Sequence, residues 1–205
     1  MTTILCIDTA SPAIALAVAV DGEIVTSVAA DAAQDHSKVL LALIDRVLGA
    51  RRADLAGIAV VKGPGNYAGL RVGIATAQGL ALTLGVSLRG MGTLEAVALA
   101  SGLDEVTAIH PAGRGEFAAQ RFRDGGAAGP IGAAKAETLA GLVLAGEGAG
   151  AMGGFEVGPE NRCRVALLAL LPQFAGQPGE SVDAVYLREP NITLARQPDP
   201  ALRLP

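Results

Sequence analysis

Three apolar runs open the chain and are separated by short polar breaks. They cover residues 2–9, 13–20 and 23–30, and their content of aliphatic and β-branched residues is typical of strands. Only Asp21-Gly22 separates the second run from the third, and an Asp-Gly pair between apolar runs predicts a two-residue hairpin. The chain is therefore expected to begin with a three-stranded antiparallel meander.

Two helices are predicted next, with a buried strand between them. Apolar residues recur at helical spacing over 39–48 and predict an amphipathic helix that ends at Gly49. A β-branched run at 57–61 predicts the strand, and the second helix is predicted over 70–84. That helix carries small residues four positions apart, which let another element approach closely. These residues are Gly69, Gly73 and Ala77 on one side and Ala75 and Gly79 on another.

The loop that joins the strand to the second helix is rich in glycine. Its sequence, KGPGNYAGLR over 62–71, combines three glycines with Pro64. Glycines of this kind allow several backbone N–H groups to face one point, and the positive end of the following helix adds to their effect. We expect an anion or another protein's backbone as the guest of this loop. The alternative is a tight strand-to-helix connection with no ligand.

The second half of the chain continues with alternating strands and helices. Strands are predicted over 87–91, 105–110, 116–122 and 142–145, and helices over 93–101, 137–141 and 161–171. Residues 124–132 are predicted to form a Gly/Ala-rich loop, and the proline-containing stretch from 189 to 205 an extended or disordered tail. The pattern as a whole predicts an α/β protein.

Composition limits the classes of function. Apolar residues make up 51% of the chain but aromatic residues only 3%, so the core must consist mainly of Ala, Val, Leu and Ile. A net charge of −4 argues against a large independent nucleic-acid surface. Cys6 and Cys163 each lie alone in an apolar run and are expected to be buried free thiols in a reducing cytosol. The charge-free stretch 72–88 is short for a membrane span, and no secretory signal is visible, because Asp8 interrupts the first apolar run.

Asp8, Thr9 and Ser11 end the first predicted strand and are the first candidates for chemistry. An acid and two hydroxyls at a strand end can position a metal, a water molecule or a phosphate, but they can also satisfy the N–H groups of a local turn. His36 and Ser37 adjoin one another at a helix start and point in different directions, so they cannot act as a catalytic pair. We expect Ser37 to cap the helix or lie on the surface, and His36 to make a polar contact.

Histidine and cysteine metal sites are excluded by the counts. The only histidines are His36 and His110, no HxxxH or HExxH pair exists, and the two cysteines lie far apart. A magnesium ion held by Asp8 and a nucleotide stays open, because such a site needs few protein ligands.

Several segments together resemble the bacterial TsaB family, also called YeaZ. They are ILCIDTASPAIALAVAVDGEIV, DHSKVLLALIDRVL, GPGNYAGLRVGIATAQGLAL, RGEFAAQRF, LAGEGA and AVYLR, and they occur in the family's order between Thr3 and Arg188. The sequence departs from the family at 66–68, where Asn-Tyr-Ala stands in place of a frequent Ser-Phe-Thr. It also departs at His110-Pro111, where Asp-Ala is common.

The resemblance implies a fold and a function. The fold is the two-lobed α/β fold of actin-like ATPases, which is ribonuclease H-like, with a reduced second lobe. We predict a first lobe at 1–100 that carries the partner-binding helices, a smaller second lobe at 101–190, and a tail at 191–205. The implied function is that of a non-catalytic subunit in the formation of threonylcarbamoyladenosine, beside the anticodon of tRNA. The relative TsaD is the catalytic subunit and holds its metal through a histidine pair, which this sequence lacks.

The resemblance and the helix pattern together name candidate site residues. No catalytic or metal-binding residue is predicted. The expected partner interface consists of His36, Ser37, Leu41, Tyr67, Leu70, Arg71 and Ile74. The possible degenerate nucleotide or phosphate site consists of Asp8, Thr9, Ser11, Gly63 and Gly65.

The expected partners are a TsaD-type catalytic subunit and a TsaE-type ATPase, with a homodimer when the chain is alone and tRNA bound only through the complex. No cofactor is required, although ATP or ADP with magnesium could bind at a shared interface. The expected location is the cytoplasm, without membrane contact. Two alternatives stay open: a small-molecule kinase or ATPase that uses Asp8, and a degenerate homologue of glycoprotease-like metallopeptidases.

Overall fold

The computed structural model describes residues 1–32, 36–175 and 179–187, without the side chain of His36. The strands are β1 Thr3–Asp8, β2 Ala13–Val20, β3 Glu23–Asp31, β4 Leu55–Val61, β5 Ser87–Met91, β6 Glu105–Pro111, β7 Glu116–Arg123, β8 Gly126–Ala127, β9 Gly132–Lys135, β10 Leu144–Gly146 and β11 Phe155–Glu156. The α-helices are α1 His36–Leu48, α2 Tyr67–Leu84, α3 Thr93–Ser101, α4 Ala136–Leu139 and α5 Pro159–Leu170. Short 3₁₀ helices cover Gly49–Asp54, Gly150–Met152 and Leu171–Phe174.

The first sheet has the strand order β3-β2-β1-β4-β5. The first three strands form the predicted antiparallel meander, while β1, β4 and β5 run parallel to one another. Successive residues of a strand face opposite sides of its sheet. Leu5 and Ile7 accordingly belong to a core cluster with α1 and α2, and Ile4 and Cys6 to a second cluster with α5. The first sheet is thus covered by helices on both sides.

Helix α5 comes late in the sequence but packs on the first sheet. It contacts β1, β2, β3 and β4, and its Cys163, Ala166, Leu167 and Leu170 face that sheet. The segment 179–187 also returns to this sheet, where the N–H of Val185 donates to the carbonyl of Lys62. The division of the chain at residue 100 stays a prediction. The structure adds that elements beyond residue 150 complete the first layered unit.

The second sheet has the order β11-β10-β6-β7-β8, and β9 also pairs with β7. Helix α3 packs against its strands β6, β7 and β10 and also against α5. The predicted loop at 124–132 in fact contains β8 and the first residue of β9. These segments lack β-branched residues, and their strand geometry comes from backbone pairing with β7 rather than from intrinsic preference.

Two further expectations concern the cysteines and the membrane. Cys6 and Cys163 are both free and buried, as predicted, and burial raises the pKa of the Cys163 thiol well above its ordinary value. Among the described residues, no helix combines the length and the apolar character that crossing a bilayer requires.

Candidate functional site

The turn after β1 is closed by a buried ion pair. Asp8 and Arg162 are both fully buried, and the guanidinium of Arg162 reaches the carboxylate through Nε to Oδ2 at 2.7 Å and Nη2 to Oδ1 at 3.2 Å. Asp8 Oδ1 also accepts the N–H of Ala10 at 2.9 Å, which is the local turn contact that sequence reasoning offered as the alternative. Both carboxylate oxygens of Asp8 are therefore engaged by the protein itself.

Three more side chains extend the pair into a polar cluster that is buried except at Glu147, which is partly exposed. Arg162 Nη2 donates to Ser11 Oγ at 2.9 Å, and Ser11 Oγ in turn donates to Glu147 Oε2. That same oxygen of Glu147 lies 3.5 Å from Arg162 Nη1 and 3.8 Å from His110 Nδ1. The cluster, defined here as Asp8, Ser11, His110, Glu147 and Arg162, joins the first sheet to β6, to the segment after β10, and to α5.

The tautomer of His110 follows from its neighbours. His110 Nε2 lies 3.0 Å from the carbonyl oxygen of Ala10. A carbonyl only accepts, so Nε2 carries the proton and donates. In the neutral ring Nδ1 is then a bare acceptor, and it has no hydrogen-bond partner within the described residues.

Burial and neighbouring charges set the protonation of the cluster. Burial alone would lower the pKa of Arg162, but Asp8 and then Glu147 raise it above its ordinary value, so the guanidinium stays charged. Burial, and then the positive charge of Arg162, lower the pKa of His110 to about 4, against the pull of Glu147 and Asp8 in the other direction. His110 is therefore neutral at pH 7.

The low pKa of His110 predicts a loss of stability in mild acid. At pH values well above the ordinary histidine pKa of about 6.5, the ring is neutral in both the folded and the unfolded chain. As the pH falls from there toward 4, the unfolded chain binds a proton that the folded chain excludes, so the free energy of unfolding drops by roughly 3 kcal/mol. We expect the variant His110→Gln to lose less stability over this interval in urea titrations at a series of pH values. Parallel curves for the two proteins would contradict the assignment.

The glycine loop is filled by the protein's own backbone. A Cβ placed on Gly63 would lie 2.4 Å from the carbonyl oxygen of Val185, and one on Gly65 would lie 2.5 Å from that of Ala10. The N–H of Asn66 donates to Ala10 at 2.7 Å, and Gly63 accepts from the N–H of Thr93. The loop thus makes a tight internal connection rather than a cradle for an outside anion.

A magnesium nucleotide does not fit the predicted site. Arg162 already places beside the Asp8 carboxylate the positive charge that a metal ion would bring. Thr9 and Ser11 are both buried. Thr9 Oγ1 packs so close to Gly73 that a Cβ there would clash at 2.1 Å. We therefore do not retain Asp8, Thr9, Ser11, Gly63 and Gly65 as a nucleotide site.

The predicted interface residues divide by exposure. Leu41 is 55% exposed, Tyr67 is 39% exposed, and Ser37 and Arg71 are also exposed. The side chain of His36 lies outside the described residues. The prediction is wrong for Leu70 and Ile74, which are 0% and 6% exposed and pack in the cores of the first sheet. Since neither side chain reaches the surface, neither can form a partner contact.

The outer face of α2 was only partly recognised from the sequence. The glycine side of this helix, Gly69 and Gly73 with Ala77, is buried. The exposed side, which we call the outer face of α2, consists of Ala68, Arg71, Ala75, Gly79 and Leu82. Leu82 is 87% exposed, and the space beside Gly79 is open. Helix α1, which carries Leu41, packs alongside α2.

Comparison with known proteins assigns the family. The family model for TsaD, tRNA N6-adenosine threonylcarbamoyltransferase, matches residues 23–146. In Escherichia coli, the tRNA threonylcarbamoyladenosine biosynthesis protein TsaB is 34% identical over 98 residues, which are 46% of this chain and 42% of that protein. The chain belongs to the TsaB (YeaZ) branch of the TsaD family.

Two further similar proteins match nearly the whole chain. The Mycobacterium tuberculosis "Uncharacterized protein Rv3421c" is 33% identical over 202 residues, 93% of this chain and 94% of its own. The solved structure of YeaZ from Pseudomonas aeruginosa aligns with a TM-score of 0.71 at 23% identity, over 91% of this chain and 100% of that one. The predicted α/β fold class is confirmed, and this likeness shows that the chain has the fold of YeaZ. Its division into two lobes of the actin-like ATPase type stays a prediction.

Sequence reasoning missed two of the five members of the buried cluster, Glu147 and Arg162. Asp8 and Ser11 were named as candidate residues, and His110 was noted as a departure from the family pattern. Arg162 lies on the buried stripe of α5 with Cys163, Ala166, Leu167 and Leu170. A single arginine on an apolar stripe requires a buried partner. That signal indicates a buried acid but does not identify which one.

Proposed function

We propose that this chain is a non-catalytic subunit of the machinery that makes threonylcarbamoyladenosine beside the anticodon of tRNA. In this proposal it binds and activates a TsaD-type catalytic subunit. Its TsaB/YeaZ family supports the pathway, since the E. coli relative is described as a biosynthesis protein of this modified nucleoside. The observation that carries the proposal is the fully buried ion pair of Arg162 with Asp8.

The ion pair favours a non-catalytic role over the kinase or ATPase alternative. A phosphoryl-transfer enzyme of this fold needs an acid that can reach a metal ion or a water molecule. Asp8 is the acid at the end of β1, yet both its oxygens are bonded within the fold and its side chain is shielded from solvent. Opening this site would separate two buried charges, which costs several kcal/mol.

The outer face of α2, together with Leu41 of α1, suits the partner contact. Small residues at Ala68, Ala75 and Gly79 let a facing helix approach closely, and Leu41 and Leu82 then bury apolar area. Activation follows if the chain binds only the active conformation of the catalytic subunit and so shifts its population. The same face would pair two copies of the chain about a two-fold axis when no partner is present.

The proposal includes the remaining expected partners. A TsaE-type ATPase and tRNA join through the complex, in the cytoplasm. No resident cofactor is required, and ATP or ADP with magnesium would bind at the interface between subunits rather than at Asp8.

Reconstitution tests the proposal. Purified TsaD-type subunit is mixed with the other components of the modification reaction and with tRNA. The modified nucleoside is then quantified with and without this chain. We expect formation of the modified nucleoside to depend on the chain. Leu41→Glu is expected to lower both the yield of the nucleoside and the affinity of the chain for the TsaD-type subunit. A charge without a partner at the contact costs about 2–3 kcal/mol, or roughly 30–150-fold in affinity.

Leu168 of α5 provides the matched control, because it is a leucine of similar exposure, 46%, on another helix. Leu168→Glu is expected to leave association unchanged. Equal association of wild type and Leu41→Glu would remove α1 from the interface. Robust ATP hydrolysis by the isolated chain, lost in Asp8→Ala, would favour the kinase alternative instead.

A further inference from the structure

Both tyrosines of the chain meet at one surface position beside the outer face of α2. The sequence contains 2 tyrosines and no tryptophan. Tyr67 begins α2, and Tyr186 lies in the segment 179–187 that returns to the first sheet, which we call the returning segment. Their ring centroids are nevertheless 5.0 Å apart, with planes tilted by 42°. Both rings are more than a third exposed. In a protein so poor in aromatics, an exposed pair needs an explanation other than core packing.

Arg71 completes this cluster through two contacts with Tyr67. Its Nη1 donates to the hydroxyl of Tyr67 at 2.8 Å, and its guanidinium carbon lies 5.4 Å from the centre of the same ring. No carboxylate within the described residues pairs with Arg71. A guanidinium has five N–H donors, so most of them remain available to a partner.

Tyr67 adds a donor beside those of Arg71. Its hydroxyl oxygen already accepts from Arg71, which leaves its own O–H to donate. The phenol O–H and the guanidinium N–H groups therefore lie next to one another. Charged acceptors form the strongest hydrogen bonds with such donors, and a carboxylate can accept from several at once.

A small cavity opens next to the pair. It has a volume of about 130 Å³, and its lining is mainly apolar: Pro64, Gly65, Pro111, Ala112, Ala118 and Leu187, with the two tyrosines. Apolar cavities of about 150 Å³ take up a group of the size of benzene. One aliphatic or aromatic side chain would thus fill this cavity.

We propose that Tyr67 and Arg71 bind an acidic side chain of the protein partner while the cavity beside Tyr186 receives a neighbouring apolar side chain. This inference rests on the proposed function, since the partner is the TsaD-type subunit, and it extends the interface beyond the outer face of α2 to the returning segment. Tyr and Arg at a preformed pocket are typical of the residues that contribute most to interface affinity. The contacts between Tyr67 and Arg71 restrict both side chains before binding, which lowers the entropy lost on binding.

The sharpest test removes one oxygen. Affinity of the full chain for the purified TsaD-type subunit is measured by calorimetry for wild type, Tyr67→Phe and Tyr186→Phe. Tyr67→Phe keeps the ring but loses the O–H donor and the acceptor for Arg71, so we expect about tenfold weaker binding. Tyr186→Phe is the matched control and is expected to stay within about twofold of wild type, because its hydroxyl is not assigned to the carboxylate.

Two further variants test the charge and the cavity. Arg71→Gln is expected to weaken binding about tenfold or more and to reduce its dependence on salt. Ala112→Leu fills the cavity and is expected to weaken binding while its melting temperature shows that the fold is kept.

If Leu41→Glu abolishes association while Tyr67→Phe, Arg71→Gln and Ala112→Leu bind as wild type does, this inference is wrong and the proposed function stands. No association of the wild-type chain with the TsaD-type subunit would remove the proposed function itself. Binding of tRNA by the isolated chain that is lost in Tyr67→Phe would show that the cluster binds a nucleobase. This result would also overturn the inference.

Discussion

Arg162→Met is expected to lower the free energy of unfolding by about 3–5 kcal/mol, a large share of the stability of a typical domain. Methionine matches the length of arginine but leaves Asp8 as a buried carboxylate without its cation. It also removes the N–H group that donates a hydrogen bond to Ser11 Oγ. Urea denaturation of the purified variant measures the loss.

Two companion variants show whether the effect comes from the buried charge. Arg164→Met changes an exposed arginine of the same helix and should alter stability only slightly. The double variant Asp8→Asn with Arg162→Met removes both charges and should recover much of the loss. If Arg162→Met proves no more harmful than Arg164→Met, the description of the closed site is wrong.

Ile74→Glu and Ala75→Glu form the second strongly contrasting pair. Ile74 is 6% exposed and packs with α1 and the first sheet, so a glutamate there loses apolar burial and buries a charge. We expect a loss of at least about 4 kcal/mol in the free energy of unfolding, and a chain that is largely unfolded at moderate temperature.

Ala75 follows directly in sequence but belongs to the outer face of α2. Ala75→Glu should therefore leave the melting temperature almost unchanged and weaken association with the TsaD-type subunit by roughly 30–150-fold. The opposite pattern, a stable Ile74→Glu and an unfolded Ala75→Glu, would mean that α2 is rotated about its axis relative to this structure.

Much of the fold could be predicted because its elements have strong local signals. The Asp-Gly turn fixed the meander, and the strand β5 and the helix α3 have the predicted bounds, Ser87–Met91 and Thr93–Ser101. The weakly patterned segments were missed. Strand β9 consists of Gly132–Lys135 and exists because it pairs with β7, which is information that its own residues do not carry.

The orientation of α2 shows a second limit of sequence reasoning. Small residues recur on two sides of this helix, and pattern alone does not say which side is buried. The structure buries the side of Gly73 because Thr9 lies against it, and so exposes Ala75 and Gly79. The buried cluster was beyond prediction for a related reason. Asp8 and Arg162 lie 154 positions apart, and only the return of α5 to the first sheet joins them.

The most direct test of the central claim is the mass of the species formed when this chain is mixed with the TsaD-type subunit. Light scattering after size exclusion measures that mass in wild type, in Ala75→Glu and in the control Leu168→Glu. At concentrations about tenfold above the wild-type dissociation constant, the account predicts mostly complex for wild type and for Leu168→Glu, and mostly separate subunits for Ala75→Glu. Separate subunits for the wild-type chain at every concentration tested would contradict it.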